Sequence, residues 1–427
     1  VNFGATGSAS WVTTVKTSSP FTAVAGEGYF VNTTSGPITV NLPAGTAGAV
    51  VAIKDYANTF DSNGVTLVQN GSDKIGGSTV NGILTAEGIA VTLVYVDSTQ
   101  GWLVTDSGLQ SEAPTALYVT ATGGTPTTSP CGDYRIHTFT GPGALCVSCA
   151  GNPAGSALVD YLVVGGGGGG GSAAPGNTGA AGGAGGFRES PGTASGSYTV
   201  SPLGVSPAVA LSVSVQPYTI QIGGGGPGGP SDSAKGVNGG LSSFSTITSA
   251  GGGGGGSNGN RAGSPGGSGG GGAGGSYNQP GGSGNTPSVS PAQGTNGGNS
   301  SPGPSGSDGG SGGGGGAIEA GVFGTPSPAT SGRGGAGTTT SINGSSLAFA
   351  GGGGGGSYPS TTPGSGSPCG TGGAGGNPAL GPLSNSVAGT INRGGGGGGA
   401  GGDPSGATGI GANGGSGIVI VRYKFQN

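Results

Sequence analysis

The chain has 427 residues, of which 114 are glycine and 29 are proline, whereas 6% are charged, 5% are aromatic and the formal net charge is −4. Chains this rich in glycine and proline are normally disordered, but disorder also requires high charge and low hydropathy, so we predict an ordered structure that pairs its backbone polar groups. The sequence has no cluster of Lys and Arg and no apolar run of about 18 residues, so we expect no nucleic-acid partner and no membrane insertion.

Residues 1–110 are predicted to form a small β-sandwich-like domain. Short β-branched runs alternate with turn signals, and apolar residues recur at every second position in runs such as ITVNL and IAVTLVY. This alternation is typical of strands with one buried face. The Asn70-Gly71 pair is a hairpin-type turn signal, and Trp102 is expected to close the domain.

Residues 111–133 are predicted to be a linker, because they are rich in Thr, Pro and Ser and contain one short strand candidate. Residues 134–427 are predicted to form a second, glycine-rich β module. YRIHTF and ALCVSC, on either side of a Gly-Pro-Gly turn, predict a hairpin, and the last strand candidate is GIVIVRYKF. No segment has the apolar spacing of a helix. We therefore predict an all-β fold with essentially no α-helix.

Glycine is concentrated in the second module: residues 1–164 contain 22 glycines, and residues 165–427 contain the other 92. The tracts are unevenly spaced, which argues against a solenoid with a fixed repeat. They also lack the strict three-residue period of collagen. The long tracts begin at Gly165, Gly251, Gly312, Gly351 and Gly394.

Runs of six or seven glycines are suited to packed polyglycine II helices. This extended helix has three residues per turn, a rise of about 3.1 Å and no internal hydrogen bonds, so every N–H and C=O points sideways. Because glycine has no Cβ, neighbouring helices can approach closely enough to bond in several directions. The entropic cost of ordering glycine is high, so strands must pin the ends of the tracts. We predict a bundle of such helices attached to β-strands.

Two parts of the chain resemble tail-fibre proteins of tailed phages, marine ones among them. The runs GYFVNTTSGPITVNLP, AGAVVAIKDYAN, NGSDKIGG and GWLV resemble a small β domain of these fibres. The runs YLVVGGGGGGG, GGAGGF, YTIQIGGGG, SSF, AGGGGGG and GIVIVRY resemble their glycine-rich domain. Stacked polyglycine helices are also similar to adhesins at the tips of tail fibres. The resemblance implies a structural virion protein that binds a host receptor without catalysis.

The resemblance also implies partners and a location. The partners would be a glycan or outer-membrane protein of the host, other tail proteins of the virion, and further copies of the chain in a homotrimer. The location would be the extracellular tail. Two alternatives stay open: a structural subunit of a capsid appendage or extracellular filament, and a polysaccharide-degrading tailspike. A tailspike needs paired carboxylates, and the candidates are more simply turn or solvent residues: Asp55, Asp61, Asp73 and Asp97.

No cofactor and no metal are expected. The single histidine, His137, is predicted to be an ordinary strand residue rather than the base of a catalytic triad. The cysteines allow free thiols, one or two disulfides, or a zinc site with His137. If the predicted hairpin turns at Pro142, Cys146 faces Thr138 while His137 lies on the other side, which disfavours shared zinc ligation. The cysteines are Cys131, Cys146, Cys149 and Cys369.

Candidate receptor-binding residues lie where glycine tracts end. Loop tips on a rigid scaffold often carry function, and Tyr and Asn form adaptable binding surfaces at low entropic cost. The competing interpretation is that these residues are polar end caps that keep the bundle soluble and in register. The candidates are Asn258, Asn260, Arg261, Tyr277, Asn278, Gln279, Arg333, Tyr358 and Arg393.

Overall fold

The chain forms two compact units, Val1–Thr115 and Ala116–Asn427. The described residues contain strands and extended segments but no α-helix, which confirms the predicted all-β fold. The computed structural model describes residues 9–109, 116–129, 132–152, 155–196, 198–231, 233–259, 261–275, 278–302, 309–326, 329–359, 361–378, 386–402 and 409–426.

The first unit consists of two packed β-sheets. Its strands are β1 (Ser10–Lys16), β2 (Phe21–Thr22), β3 (Glu27–Val31), β4 (Ile38–Asn41), β5 (Val50–Asp55), β6 (Val65–Val68), β7 (Gly82–Leu84), β8 (Ile89–Tyr95) and β9 (Trp102–Leu109). One sheet has the order β1-β3-β5-β8-β9 and the other the order β2-β4-β6-β7. Side chains from both sheets meet in one core. Trp102 is fully buried there, with its ring 5.6 Å from the ring of Tyr95.

The first six strands alternate between these two sheets. In one sheet β1, β3 and β5 pair in parallel, and in the other β2, β4 and β6 do the same. The chain therefore winds as a coil before β7, β8 and β9 add antiparallel partners. The Asn70-Gly71 pair does form a turn, in which the N–H of Asp73 donates to the Asn70 carbonyl. It lies within the longer connection between β6 and β7 instead of closing a two-residue hairpin.

The second unit contains a β-sandwich and the glycine tracts. Its strands are β10 (Val119–Thr122), β11 (Thr125–Thr128), β12 (Tyr134–Phe139), β13 (Gly143–Ala150), β14 (Leu158–Val164), β15 (Phe187–Glu189), β16 (Leu211–Ser212), β17 (Pro217–Gln221), β18 (Ser242–Phe244), β19 (Ile247–Ser249), β20 (Thr325–Pro326), β21 (Ala329–Thr330), β22 (Thr338–Thr340), β23 (Leu347–Phe349) and β24 (Ile418–Lys424). The outer sheet has the order β10-β13-β17-β18-β19, and the central sheet has the order β11-β12-β24-β14-β15. Strands β20 and β21, and strands β22 and β23, form separate two-stranded ladders.

The central sheet is buried on both faces, which explains why YLVV and IVIVRY are nearly continuous apolar runs. One face packs on the outer sheet, and its core residues include Val159, Tyr161, Val163, Val419 and Val421. The opposite face packs on alanines and aromatic rings among the glycine-rich segments, and its core residues include Ile136, Leu162, Val164, Ile418 and Ile420.

Two predictions about the start of this unit need correction. The predicted linker 111–133 contains β10 and β11, which pair with β13 and β12, so the second unit begins at Ala116. The predicted hairpin between β12 and β13 does not form a ladder, because the two strands belong to different sheets: Thr138 pairs with Thr125 and Ile420, whereas Cys146 pairs with Thr122 and Pro217. The physical reason is burial: β12 is covered on both faces, whereas β13 has one exposed face.

The glycine tract at residues 165–171 lies at the centre of a bundle of extended segments. Every third amide donates to the same neighbour: the N–H groups of Gly165, Gly168 and Gly171 bond to the carbonyls of residues 186, 183 and 180 at 2.8–2.9 Å. The intervening amides donate to segments 234–240 and 409–415. The carbonyls accept from three further segments, 226–229, 252–255 and 397–400.

This tract therefore has six hydrogen-bonded neighbours and a three-residue period, as expected for packed polyglycine II helices. The close packing depends on the missing Cβ. A Cβ built on Gly168 would lie 2.2 Å from the carbonyl oxygen of Gly253, and one on Gly167 would lie 2.0 Å from that of Gly395. Backbone atoms thus make up the core of this bundle.

Candidate functional site

Four of the five long glycine tracts end at one end of the bundle, which we call the distal end. The tract at residues 165–171 leaves β14 and runs parallel to the tracts that end at Gly256 and Ala400, as the bonds from Gly255 to Gly169 and from Ala400 to Gly171 show. The tract that ends at Gly356 joins them through its bond to Gly179. The fifth, at residues 312–316, runs in the opposite direction, because Ala317 donates to Ala350 while Ser311 approaches Gly356.

Serine caps three of these tracts at the distal end. Ser172, Ser257 and Ser357 each follow the last glycine of a tract and are fully buried. Their hydroxyls donate to the carbonyls of Ala234, Ser233 and Gly376 on neighbouring segments, at 2.9, 2.9 and 3.3 Å. The repeated pattern of a glycine tract followed by serine was visible in the sequence, but only the bundle shows its role.

Five candidate binding residues lie together at the distal end. The Oδ1 atom of Asn258 accepts a bond of 3.0 Å from Nη2 of Arg261. Asn278 is exposed, and the backbone of Gln279 bonds to Ser300. Tyr358 starts a turn in which its N–H donates to Oγ1 of Thr361 at 2.8 Å. Asn260 and Tyr277 lie outside the described residues.

The other two candidates, Arg333 and Arg393, do not belong to this group. Arg333 lies midway along the bundle, between residues bonded to Gly352 and Gly355, and forms a two-pronged ion pair with Glu319 at 2.6 and 3.1 Å. These hydrogen bonds lower the pKa of Glu319 below its ordinary value. Arg393 precedes the tract at Gly394 and lies at the end of the bundle next to the sandwich, where its carbonyl accepts from Ala350.

The tract ends thus contain both capping residues and exposed residues. Side-chain to backbone bonds at Ser172, Ser257 and Ser357 show that residues directly after the glycines are caps. Asn258, Asn278 and Tyr358, one position or more beyond the caps, keep exposed surface. The distal end is therefore a set of chain reversals with polar side chains, held on a support whose backbone is fixed by hydrogen bonds.

A glycine-rich domain family model matches residues 147–424, which is more than half of the chain. The chain belongs to this family. The matched range begins in β13 and ends with the last residue of β24, so it includes all the glycine tracts. A comparison with curated proteins finds no match.

Asparagine side chains fill gaps in the hydrogen-bond network of the glycine-rich domain. Some backbone N–H groups of the bundle donate to an asparagine side-chain oxygen instead of a backbone carbonyl. The N–H of Gly254 donates to Oδ1 of Asn238, and the N–H of Gly228 donates to Oδ1 of Asn413, each at 2.8 Å. Asn296 and Asn299 do the same for Gly284 and Gly281. The sequence alone does not indicate this role, because asparagines among serines and glycines are typical of ordinary loops.

His137 is a structural residue next to the glycine-rich domain. It is 1% exposed, its Nδ1 lies 2.7 Å from the Gly123 carbonyl, and its Nε2 lies 2.9 Å from the hydroxyl of Tyr423. That hydroxyl also accepts from the N–H of Ala121 at 3.1 Å. The arrangement suits a neutral ring that donates from Nδ1 and accepts at Nε2. Burial lowers the pKa of His137 below its ordinary value of 6.5.

We expect this histidine to make the second unit less stable in acid. Because the folded state lowers the pKa, the unfolded chain binds more protons, so the contribution of His137 is complete above about pH 6.5 and is lost as the pH falls towards the folded pKa. The loss is about 1.4 kcal/mol for each unit by which the pKa is lowered. Unfolding free energies of the wild type and His137→Gln between about pH 5 and pH 7.5 check this. Equal slopes with pH would contradict it.

Three cysteines can be assigned. Cys146, Cys149 and Cys369 are free thiols, while Cys131 lies outside the described residues. The thiol of Cys369 is within 2.9 Å of the Ser367 hydroxyl. Among the described residues, no three His, Cys, Asp or Glu side chains are grouped as metal ligands. The same residues contain no helix that is long and apolar enough to cross a membrane.

A buried polar network joins the central sheet to the loop after β15. Asp160 of β14 lies directly opposite Arg422 of β24, and both are almost fully buried. The Asp160 carboxylate accepts bonds of 2.6–2.7 Å from the Ser190 hydroxyl and from the hydroxyl and N–H of Ser195. The guanidinium of Arg422 stacks between the rings of Tyr134 and Tyr198, at 4.8 and 5.1 Å.

Nearby, Glu189 accepts from the N–H of Ser201 and the hydroxyl of Thr340, and burial raises its pKa. These carboxylates are enclosed by protein, so they brace the fold rather than form an open site.

Proposed function

We propose that this chain is a tail-fibre protein of a phage and that the distal end of its glycine-rich domain binds a receptor on the host surface. The observation that carries the proposal is the convergence of four glycine tracts on one end, where chain reversals present Asn, Arg and Tyr side chains. A support locked by backbone bonds loses little further entropy when its loops bind, which favours adhesion. The tail-fibre resemblance of the first 110 residues supplies the biological setting.

The same resemblance supports a homotrimer attached to other tail proteins in the extracellular virion. The receptor would be a glycan or an outer-membrane protein. Light scattering on the purified chain tests this assembly. A stable trimer is the expected result, whereas open-ended polymers would favour the filament alternative.

Adhesion by the distal end can be tested with purified protein and the bacterium that the phage infects. We expect the fluorescent full chain to bind whole cells and to block phage adsorption. A triple variant, Asn258→Ala with Asn278→Ala and Tyr358→Ala, should lose at least about tenfold in binding, because a few central residues carry most of the energy of an interface. Adsorption counts and cell-bound fluorescence measure this.

The matched control changes three exposed residues away from the distal end: Thr219→Ala, Gln221→Ala and Thr339→Ala. It should bind as the wild type does. If the distal variant blocks adsorption as well as the wild type, the receptor site lies elsewhere. Release of reducing sugar from the cell surface would instead favour a depolymerase.

A further inference from the structure

A cavity of about 280 Å³ lies at the end of the glycine bundle next to the sandwich, which is the opposite end of the bundle from the distal end. Ile418 and Ile420 of β24 and Phe349 of β23 line it. Ile391 stands beside it and is 71% exposed. One part of the cavity wall is therefore apolar.

The rest of the cavity wall carries polar groups with hydrogen-bond donors or acceptors that other described residues do not use. Thr138 and Thr140 contribute hydroxyls from the end of β12, and Asn343 contributes a side-chain amide from the turn before β23. The Asn343 oxygen accepts from the N–H of Ser345. Its amino group and the two hydroxyls have no hydrogen bond to other described residues. They can therefore bond to a ligand.

Arg393 is the charged group of the cavity. Its guanidinium lies 4.8 Å from the centre of the Phe349 ring and makes no hydrogen bond or ion pair with the described part of the chain. Arg333, in contrast, is paired with Glu319 in the same unit. A half-buried guanidinium without an anion is costly, and burial lowers the pKa of Arg393. A bound anion would remove this cost.

We propose that this cavity binds a small carboxylate carried on a six-membered ring, with an acidic sugar as the first probe. The planar guanidinium matches the two oxygens of a carboxylate. One ring face would pack on Leu347 and Ile391, the apolar lining residues that keep accessible surface, while ring hydroxyls would bond to the threonines and Asn343. The volume lies just below the usual range of about 300–1,000 Å³ for drug-sized ligands, so it suits a single ring.

Phosphate fits this site less well than a carboxylate. Phosphate sites usually combine several cationic groups or a nest of backbone N–H groups. This cavity has one guanidinium and an apolar wall, which favours a singly charged ligand with an apolar face. The proposal does not depend on receptor binding at the distal end, because the two sites are at opposite ends of the bundle.

The test is calorimetric titration of the full chain with glucuronate, benzoate, glucose and inorganic phosphate. We expect glucuronate or benzoate to bind, glucose to bind at least about tenfold more weakly, and phosphate not to compete. Tighter binding of glucuronate identifies a sugar acid, and tighter binding of benzoate identifies an aromatic acid. Both results support the carboxylate site.

Three variants locate the binding. Arg393→Gln should weaken glucuronate binding at least about tenfold. Arg393→Lys should weaken it less, because lysine keeps the positive charge but lacks the paired N–H donors of the guanidinium. Ile391→Glu places a negative charge at the cavity without touching the core, so it should weaken binding while leaving the melting temperature unchanged. Arg333→Gln is the control and should bind normally.

Two results would overturn the proposal. The first is equal binding of glucose and glucuronate, and the second is unchanged glucuronate binding by both Arg393→Gln and Ile391→Glu.

Discussion

Gly168→Ala is expected to unfold the glycine-rich domain at a markedly lower temperature. The new methyl group would lie 2.2 Å from the carbonyl oxygen of Gly253, and neighbouring backbone cannot yield as a flexible side chain would. Overpacking costs about 1–3 kcal/mol where side chains can adjust, so we expect about 3 kcal/mol or more here. For a unit of this size that corresponds to about 6 °C or more in the calorimetric transition.

Gly224→Ala is the matched control. Gly224 lies in another glycine run of the same bundle, but a Cβ there meets no atom within 4 Å, and its φ is outside the left-handed range. Its transition should stay unchanged or rise slightly, since alanine restricts the unfolded chain. Both tryptophans, Trp11 and Trp102, belong to the first unit, so their fluorescence monitors that unit separately. Equal transitions for the two variants would contradict a core made of packed backbone.

The ordered glycine bundle could be predicted because the composition disfavours disorder and the spacing of the glycines disfavours collagen. Runs of six or seven glycines exclude collagen, and low charge disfavours disorder. Extended helices with three residues per turn remained, and the bonds of the tract at residues 165–171 have this period. What the sequence could not show was the set of neighbours. Identical tracts carry no side chains to select partners, so only the strands that anchor them fix the arrangement.

Strand pairing in the sandwich was harder to predict for a related reason. The turn between β12 and β13 is compatible with a hairpin and equally with a crossing between sheets. The choice depends on which strand is buried on both faces, and this is decided by β24, nearly three hundred residues away. The parallel winding of the first unit is similarly non-local.

The candidate site was predicted in part. Tract ends do converge, which brings Asn258, Arg261, Asn278, Gln279 and Tyr358 to the distal end. Position along the chain, however, does not show which end of a glycine tract lies at the distal end of the bundle and which lies next to the sandwich. Arg393 precedes its tract and Arg333 lies midway along the bundle, so the structure places both apart from the other candidates. The cavity at Arg393 is formed by segments that are remote in sequence, which is why no motif indicated it.

Asp160→Ala is expected to be the most damaging single change in the sandwich. The carboxylate is completely buried, accepts three short bonds from Ser190 and Ser195, and lies opposite the buried Arg422. Removing it leaves three buried donors without their acceptor. Each such donor costs about 1–3 kcal/mol, so we expect a loss of about 3 kcal/mol or more. The calorimetric transition of the second unit should fall accordingly, while tryptophan fluorescence from the first unit should be unaffected.

Two further variants separate charge from packing at Asp160. Asp160→Asn keeps one acceptor oxygen and almost the same volume, so it should lose less stability than Asp160→Ala but more than a surface change. Asp133→Ala removes a carboxylate that accepts no hydrogen bond among the described residues and should cost less than about 0.5 kcal/mol. If Asp160→Ala is no worse than Asp133→Ala, the network does not brace the sheet. The loop after β15 would then be held by its other contacts, which include the bond from Ser201 to Glu189 and the packing of Tyr198 and Leu203 on the core.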